Sequence, residues 1–210
     1  MISVLIADDH PVIRAGLRQI LENAGGIRVD REAGDGNEAL AAARSGRYDV
    51  LVLDIGMPGL NGLEVLKRIR SEDAKLPILV LSVYAEEHYA LRVVRAGASG
   101  YLTKETADDE LVQAVRTVAS GKRYVSASLA EKLAEAVDGS TEKPPYQALS
   151  DRELEVFNLL AAGRTMKEIA DALHVGITTA STYRARILGK MGMKSNAEII
   201  RYAIEHRLTD

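Results

Sequence analysis

The sequence has no cysteine, no tryptophan and a single phenylalanine among its 210 residues. Without cysteine, neither a disulfide framework nor a thiolate zinc site is possible. No apolar run approaches the roughly 20 residues that a membrane-spanning helix requires, and the N-terminus lacks the basic start of a signal peptide. With 47% hydrophobic and 27% charged residues, we expect a globular cytoplasmic protein without a membrane partner.

The sequence also lacks a strong excess of positive charge. Its net charge is −3, with +1 on residues 147–210 and −4 on residues 1–146. Proteins whose charge alone indicates nucleic-acid binding carry a pronounced basic patch or stripe. A prediction of DNA binding for this chain must therefore rest on motifs.

Short aliphatic runs alternate with segments of helical periodicity over the first 120 residues. The run at 49–53 is apolar throughout, which is typical of a strand covered on both faces. Regular alternation of strands and helices implies right-handed crossovers and a parallel sheet. We therefore predict a five-stranded, doubly wound α/β domain over residues 1–120. Its strands are expected near residues 2–7, 27–33, 49–53, 77–81 and 100–103.

The character of the sequence changes after residue 120. Residues 121–147 are predicted to form a linker, with a short helix at SASLAEKLAEAV followed by DGSTEKPPYQ. Residues 148–210 contain four helical segments and no strand, which predicts a small all-α domain. Three of its helices begin with capping-box patterns, namely Ser150 with Glu153, Thr165 with Glu168, and Ser195 with Glu198.

Five polar residues fall at or just beyond the carboxyl ends of predicted strands: Asp8, Asp9, Asp54, Ser82 and Lys104. In open parallel sheets these strand ends share one edge, where ligands bind. Three carboxylates together repel one another unless a cation is present, and Mg²⁺ prefers oxygen ligands. A lysine and a hydroxyl beside them suit a phosphoryl group, with Asp54 as the nucleophile that forms an acyl phosphate. The alternative is that these residues are only strand-end caps and surface ion pairs.

His10 follows the two aspartates directly. Because Mg²⁺ prefers oxygen to nitrogen, we expect His10 to flank the site rather than bind the metal. Pro11 is expected to start the first helix, since proline is favoured at that position.

The segments IADDHPVIRAGL, VLDIGMPGLNGLEVLKRIR, LSVY and AGASGYLTKET resemble the receiver domain of bacterial two-component response regulators of the NarL/FixJ subfamily. The resemblance covers essentially all of residues 1–120 and implies a flavodoxin-like fold. It also implies that a sensor histidine kinase phosphorylates Asp54. Mg²⁺ would be held by Asp9, Asp54 and the backbone carbonyl of Gly56, with Asp8 acting through water. The positions that match the phosphoryl-binding and switch residues are Ser82, Tyr101 and Lys104.

The segments LSDRELEVFNLLAAG and KEIADALHV resemble the LuxR-type helix-turn-helix domain, in which the following helix, here near 177–190, reads DNA. Helical periodicity predicts an inward arc made of Ile177, Ala180, Ile187, Leu188 and Met191. The candidate DNA-binding residues are Thr178, Thr179, Ser181, Thr182, Tyr183, Arg186 and Lys190. Ser181 and Tyr183 replace a lysine and a histidine that are common in the family, so the target sequence of relatives does not transfer.

The two resemblances together imply a phosphorylation-dependent transcriptional regulator, not an enzyme that turns over an external substrate. Only phosphorylation from a phosphodonor and slow self-dephosphorylation are expected. The phosphoryl group would change dimerisation or interdomain contacts and so control binding to promoter DNA, most naturally as a homodimer on two half-sites. RNA polymerase is a further candidate partner.

Three alternatives remain at this point. A phosphatase usually carries a second aspartate two residues after the nucleophile, where this chain has Gly56. A regulator that does not depend on phosphorylation would not need the complete acidic constellation. The helical domain could also bind protein instead of DNA, because a polar outer face is typical of any solvated helix.

Overall fold

The structure, a computed structural model, describes residues 1–72, 75–83, 86–126, 129–131, 144–206 and 208, without the side chains of residues 86–88, 108 and 109. The chain divides into two compact units, Met1–Gly139 and Ser140–Asp210. Most of the short helix predicted in the linker lies outside the described residues, although residues 129–131 are helical. Within the described ranges, no helix is both long and apolar enough to cross a membrane.

The first unit contains a single parallel sheet with helices between its strands. The strands are β1 (Ile2–Ala7), β2 (Ile27–Ala33), β3 (Val50–Asp54), β4 (Ile78–Ser82) and β5 (Gly100–Thr103), in the order β2-β1-β3-β4-β5. The helices are α1 (Pro11–Asn23), α2 (Gly36–Ser45), α3 (Gly62–Ser71), α4 (Glu86–Arg95) and α5 (Ala107–Ala119). This order is that of flavodoxin-like folds, which confirms the predicted fold class. Strands β3 and β4 lie one residue later than predicted, so Asp54 and Ser82 are their last residues.

The central strands are buried on both faces, which explains why their sequences are apolar throughout. One face of the sheet packs against α1 and α5 in a core cluster that includes Val52, Leu81, Leu21 and Leu111. Residues of the other parity, such as Leu53, are buried as well. Each fully buried aliphatic side chain contributes about 1.5–3 kcal/mol to the free energy of folding. The polar residues are therefore held at the ends of a stable sheet.

Packing of the first unit continues past residue 120. The backbone N–H of Tyr124 donates to Ser99 O at 2.9 Å, and its hydroxyl donates to Glu110 Oε2 at 2.7 Å. Tyr124 also forms an isolated parallel bridge with Gly100. The start of the predicted linker is therefore tied to β5 and α5.

The second unit is helical. A 3₁₀ helix (Pro145–Ala148) precedes α6 (Asp151–Ala161), α7 (Met166–Ala172), α8 (Ile177–Met191) and α9 (Asn196–Glu205). Because α7 and α8 follow one another across a short turn and pack together, they form the predicted helix-turn-helix. At the centre of that turn His174 has a positive φ of 52°, a conformation that histidine adopts more readily than most residues.

Two of the three predicted capping boxes are complete. Ser150 and Thr165 each exchange side-chain and backbone hydrogen bonds with the glutamate three residues later. At Ser195 the prediction is only half right: its hydroxyl accepts from Glu198 N, but the Glu198 carboxylate accepts from Lys194 N at 3.0 Å. The backbone of Ser195 is more extended, with φ −151° against −66° for Ser150. The Glu198 carboxylate therefore accepts from the amide of Lys194 and not from that of Ser195.

The predicted inward arc of α8 is right at four positions and wrong at one. Ala180 and Ile187 are fully buried, and Leu188 and Met191 are half-buried. Ile177 is 54% exposed instead. Helical side chains lean toward the N-terminus and cover the preceding turn, and the first residue of a helix has no such turn to lie on.

Candidate functional site

The parallel register brings the predicted acidic residues to one edge of the sheet. Asp8 and Asp9 directly follow β1, while Asp54 is the last residue of β3 and pairs in register with Leu81 of β4. Asp8 and Asp54 are almost fully buried, with side chains 1% and 5% exposed. The structure thus brings together residues that lie 46 positions apart in the chain.

Lys104 directly follows the edge strand β5, and its side chain reaches both carboxylates. Its Nζ lies 2.7 Å from Asp8 Oδ2 and 2.9 Å from Asp54 Oδ2. Burial acts to lower the pKa of the Lys104 ammonium, but the two carboxylates outweigh it and the pKa is raised. Burial raises the pKa of Asp54, because the opposing effect of Lys104 does not fully compensate for it and the Asp8 carboxylate adds to it. The single positive charge of Lys104 therefore does not fully balance the negative charge of the carboxylates at this edge.

The remaining donor atoms fit a hard cation. Asp8, Asp9, His10 and Asp54 each offer one ligand atom within 4.8 Å of the others. Asp9 Oδ1 is buried and accepts no hydrogen bond from any residue that the structure describes. A buried oxygen that accepts no hydrogen bond is available as a metal ligand, and a set of three carboxylates suits Mg²⁺. Asp8 differs, since Oδ2 bonds Lys104 and Oδ1 accepts from His10 N at 2.7 Å.

His10 lies beside the three aspartates, and one of its ring nitrogens is among the four possible ligand atoms, so the expectation that it does not bind the metal stays a prediction. It is the N-cap residue of α1, with Pro11 as the first helical residue. Its side chain is 62% exposed, although Nδ1 lies 2.9 Å from Asp9 Oδ1 without the alignment of a hydrogen bond.

In the second unit, α8 presents a polar outer surface. Tyr183 is half-buried, and the other six candidates are exposed on this surface: Thr178, Thr179, Ser181, Thr182, Arg186 and Lys190. The Thr182 hydroxyl donates to the backbone carbonyl of Thr178 at 2.9 Å, which fixes the Thr182 side chain against its own helix. Hydroxyls and a guanidinium on an exposed helix are suited to phosphate oxygens and base edges.

Lys190 differs from the other candidates on α8. Its Nζ lies 2.6 Å from Glu153 Oε2, a carboxylate on α6 whose side chain is only 4% exposed. Sequence reasoning assigned Glu153 a capping role alone, because nothing in the sequence indicates that the end of α8 packs beside the start of α6.

Comparisons with known proteins agree with both halves of this geometry. Residues 4–116 match the family described as the response regulator receiver domain, and residues 147–203 match the bacterial regulatory proteins of the luxR family. The chain belongs to the response regulator family. Its receiver precedes a LuxR-type domain, as in the NarL/FixJ subfamily, so it is by family a DNA-binding transcription regulator.

Individual relatives align with this response regulator over nearly their whole length. The response regulator UvrY of Escherichia coli is 37% identical over 209 residues, which are 99% of this chain and 96% of the relative. GacA of Pseudomonas aeruginosa is 34% identical over 211 residues, covering 100% and 99%. Among solved structures, RcsB of Salmonella enterica serovar Typhimurium, bound to the promoter rprA in the presence of the phosphomimetic BeF3−, has 28% identity, a TM-score of 0.64 and coverage of 96% and 98%.

The other receiver positions predicted from sequence are also buried near this edge. Ser82 is 1% exposed, and its backbone carbonyl accepts from Lys104 N at 2.7 Å. Tyr101 is 2% exposed and pairs with Val80, two residues before Ser82 in β4. Ser82 and Tyr101 thus lie on one face of two neighbouring strands, and both residues are buried.

The glycines near Asp54 are needed for different structural reasons, which could not be told apart from the sequence. Gly59 has φ +71°, a conformation that favours glycine. Gly62 is required for close approach, because a Cβ there would lie 2.0 Å from the Asp54 carbonyl oxygen. At Gly56 a Cβ would meet only the Asp54 carboxylate oxygens, at 3.5 and 3.8 Å, while Gly56 N donates to Asp54 Oδ1 at 3.2 Å.

We predict that Gly62→Ala lowers the free energy of unfolding by about 3 kcal/mol, because backbone must move to admit the methyl group. The movement would displace the loop beside Asp54. Gly56→Ala is the matched control, since its methyl group would make ordinary contacts. Urea unfolding measures the stability of both variants, and equal stability losses in the two would contradict the close-approach explanation.

Arg14 is a site residue that sequence reasoning missed. From α1 its Nη1 donates to the backbone carbonyl of Asp8 at 2.6 Å, and its Nε donates to Glu32 Oε2 at 3.2 Å. The side chain is only 16% exposed. Arg14 therefore holds the end of β1 in place, but in the sequence it looks like any arginine on an amphipathic helix.

Proposed function

We propose that this response regulator receives a phosphoryl group on Asp54 from a sensor histidine kinase, and that phosphorylation controls its binding to promoter DNA. One observation carries the proposal: Asp54 lies buried beside Lys104 and close to Asp9, whose Oδ1 accepts no hydrogen bond from the described residues, at the sheet edge where ligands bind. The presence of a LuxR-type domain in the same chain gives the phosphorylation event an output.

Phosphoryl transfer follows from these groups. A carboxylate oxygen of Asp54 attacks the phosphorus of the kinase phosphohistidine, the P–N bond breaks, and the imidazole keeps the electron pair and takes a proton from solvent. Lys104 and the Ser82 hydroxyl would bind the phosphoryl oxygens. Asp9, Asp54 and the Gly56 carbonyl would hold Mg²⁺, with Asp8 acting through water, and the bound ion neutralises phosphoryl charge. A small acyl phosphate would serve as donor in place of the kinase, and attack by water would slowly remove the group.

Phosphorylation would exchange one set of contacts for another. In the described state Lys104 pairs with the Asp54 carboxylate itself, whereas in the phosphorylated state its ammonium would pair with the phosphoryl oxygens. This exchange, together with Ser82 and Tyr101 on the adjacent strands, would shift a pre-existing equilibrium between conformations. The outcome would be dimerisation or altered interdomain contacts.

The DNA-binding half of the proposal rests on α8. Its exposed residues Thr178, Thr179, Ser181, Thr182 and Arg186, with Tyr183 at the edge, would enter the major groove. A homodimer would bind two half-sites, as the symmetry of the protein would be mirrored in the DNA. Because the target is promoter DNA, the protein would act in the cytoplasm, with RNA polymerase as a further partner.

We also propose functional boundaries for the chain. The receiver would span residues 1–120, a linker residues 121–147 and the DNA-binding domain residues 148–210. The end of α5 at Ala119 and the family match that begins at residue 147 support them, with Tyr124 as a linker residue that stays hydrogen-bonded to the receiver.

The test is selection of bound sequences from random duplex DNA, with and without acetyl phosphate at constant Mg²⁺. We expect the phosphorylated protein to enrich a sequence with two related half-sites and the untreated protein to enrich it weakly. Enrichment of the same sequences to the same extent in both arms would show that phosphorylation does not control binding. Failure to enrich any sequence in either arm would point to a protein-binding role for the helical unit.

A further inference from the structure

Lys190 lies in the last turn of α8, yet its ammonium is paired with a carboxylate of α6. Its Nζ lies 2.6 Å from Glu153 Oε2 and 3.4 Å from the backbone carbonyl of Ala148. The same Oε2 accepts from Ser150 N at 2.7 Å. One carboxylate oxygen therefore joins the capping box of α6 to the C-terminal turn of α8.

The burial of Glu153 makes this contact costly to break. Its side chain is 4% exposed, whereas that of Lys190 is 43% exposed. Burial acts to raise the pKa of Glu153, but the bonds from Lys190 and Ser150 outweigh it and the pKa is lowered. The carboxylate is thus charged at neutral pH, and removing the lysine would leave a buried charge without its cation.

Arg186, one helical turn earlier, is in a different situation. It is exposed on α8 and makes neither a hydrogen bond nor an ion pair with any of the residues described. Its guanidinium can reach a DNA phosphate without giving up another partner. A lysine that left Glu153 for a phosphate would have to abandon a buried carboxylate to do so.

We propose that Glu153 and Lys190 form an interhelical clamp that fixes the C-terminal end of α8 against the start of α6. Lys190 is then a positioning residue for DNA reading and not a phosphate contact. This inference rests on the proposed function, in that α8 is taken as the helix that binds DNA.

The salt dependence of DNA affinity separates positioning from contact. Each lost phosphate contact lowers the slope of log affinity against log salt concentration by about 0.9. For the full-length protein and a random-sequence duplex, we expect Lys190→Met to lower affinity on the order of tenfold at every salt concentration, with an unchanged slope. Arg186→Met should reduce the slope. Arg201→Met, which removes an exposed cation of α9, controls for the loss of charge alone.

Variants of Glu153, the residue that pairs with Lys190, make the test independent of any one mutation. Glu153→Gln should lower affinity in the same way as Lys190→Met, and the double variant should lose little more than either single variant, because both break one clamp. Lys190→Arg should restore much of the affinity. If Lys190→Met fails to fold, as judged by thermal unfolding of its helices, Glu153→Gln and Lys190→Arg still decide the question.

A slope reduced by about 0.9 in Lys190→Met, with Glu153→Gln binding as tightly as the wild type, would overturn the clamp and leave the proposed function intact. A wild-type protein that does not bind duplex DNA at any salt concentration would overturn both. The two failures are therefore distinguishable.

Discussion

Asp54→Asn is expected to abolish phosphoryl uptake from acetyl phosphate, while the wild-type protein is phosphorylated in a Mg²⁺-dependent reaction. The amide is nearly the same size as the carboxylate, but it has no anionic oxygen to attack phosphorus and is a weaker ligand for the metal. The wild-type carboxylate is 5% exposed and lies 2.9 Å from the Lys104 ammonium. Intact mass spectrometry measures the uptake.

Asp49→Asn is the matched control for this prediction. Asp49 immediately precedes the same strand at its opposite end, where Oδ2 accepts from Ser3 N at 2.8 Å. An asparagine can keep that hydrogen bond, so this variant should be phosphorylated like the wild type. Uptake by Asp54→Asn at the wild-type rate would mean that another residue is the acceptor.

Lys104→Met is expected to lower the free energy of unfolding of the metal-free protein by about 2 kcal/mol. Loss of one partner of a buried ion pair costs about 3–5 kcal/mol, and the partial exposure of Lys104, 14% of its side chain, reduces that figure. Asp8 and Asp54 would remain buried without their cation. Urea unfolding in the presence of a chelator measures the loss.

Mg²⁺ should stabilise Lys104→Met more than it stabilises the wild type. The metal and the ammonium neutralise the same carboxylates, so removal of one increases the affinity for the other. Lys122→Met, which removes an exposed lysine, should change neither the stability nor its response to Mg²⁺. A variant that Mg²⁺ stabilises less than the wild type would show that Lys104 does not share the charge of the metal site.

The acidic site of the receiver could be predicted from the sequence because its residues lie at the carboxyl ends of parallel strands. Once β1, β3 and β4 are recognised as parallel, Asp8, Asp54 and Ser82 must share an edge. Local hydrogen-bonding patterns likewise determined the starts of α6 and α7. These features depend on residues a few positions apart, or on a sheet whose order is constrained by its connections.

Features that depend on which helices meet could not be predicted in this way. Arg14 and Lys190 are basic residues on amphipathic helices, and their sequence context does not tell a buried partner from solvent. Only the packing of α1 beside the end of β1, and of α8 beside the start of α6, gives them carbonyl and carboxylate partners. Ile177 was misjudged for a related reason, because helical periodicity takes no account of where the helix begins.

Coupling between phosphorylation and DNA binding is the central claim, and it can be measured directly. The affinity of the wild-type protein for its selected duplex should be determined with and without acetyl phosphate, at constant Mg²⁺ and salt, with phosphoryl occupancy followed by mass. We predict an increase of roughly tenfold on phosphorylation, within the usual range of allosteric coupling, and none for Asp54→Asn. An unchanged affinity in fully phosphorylated wild-type protein would contradict the claim.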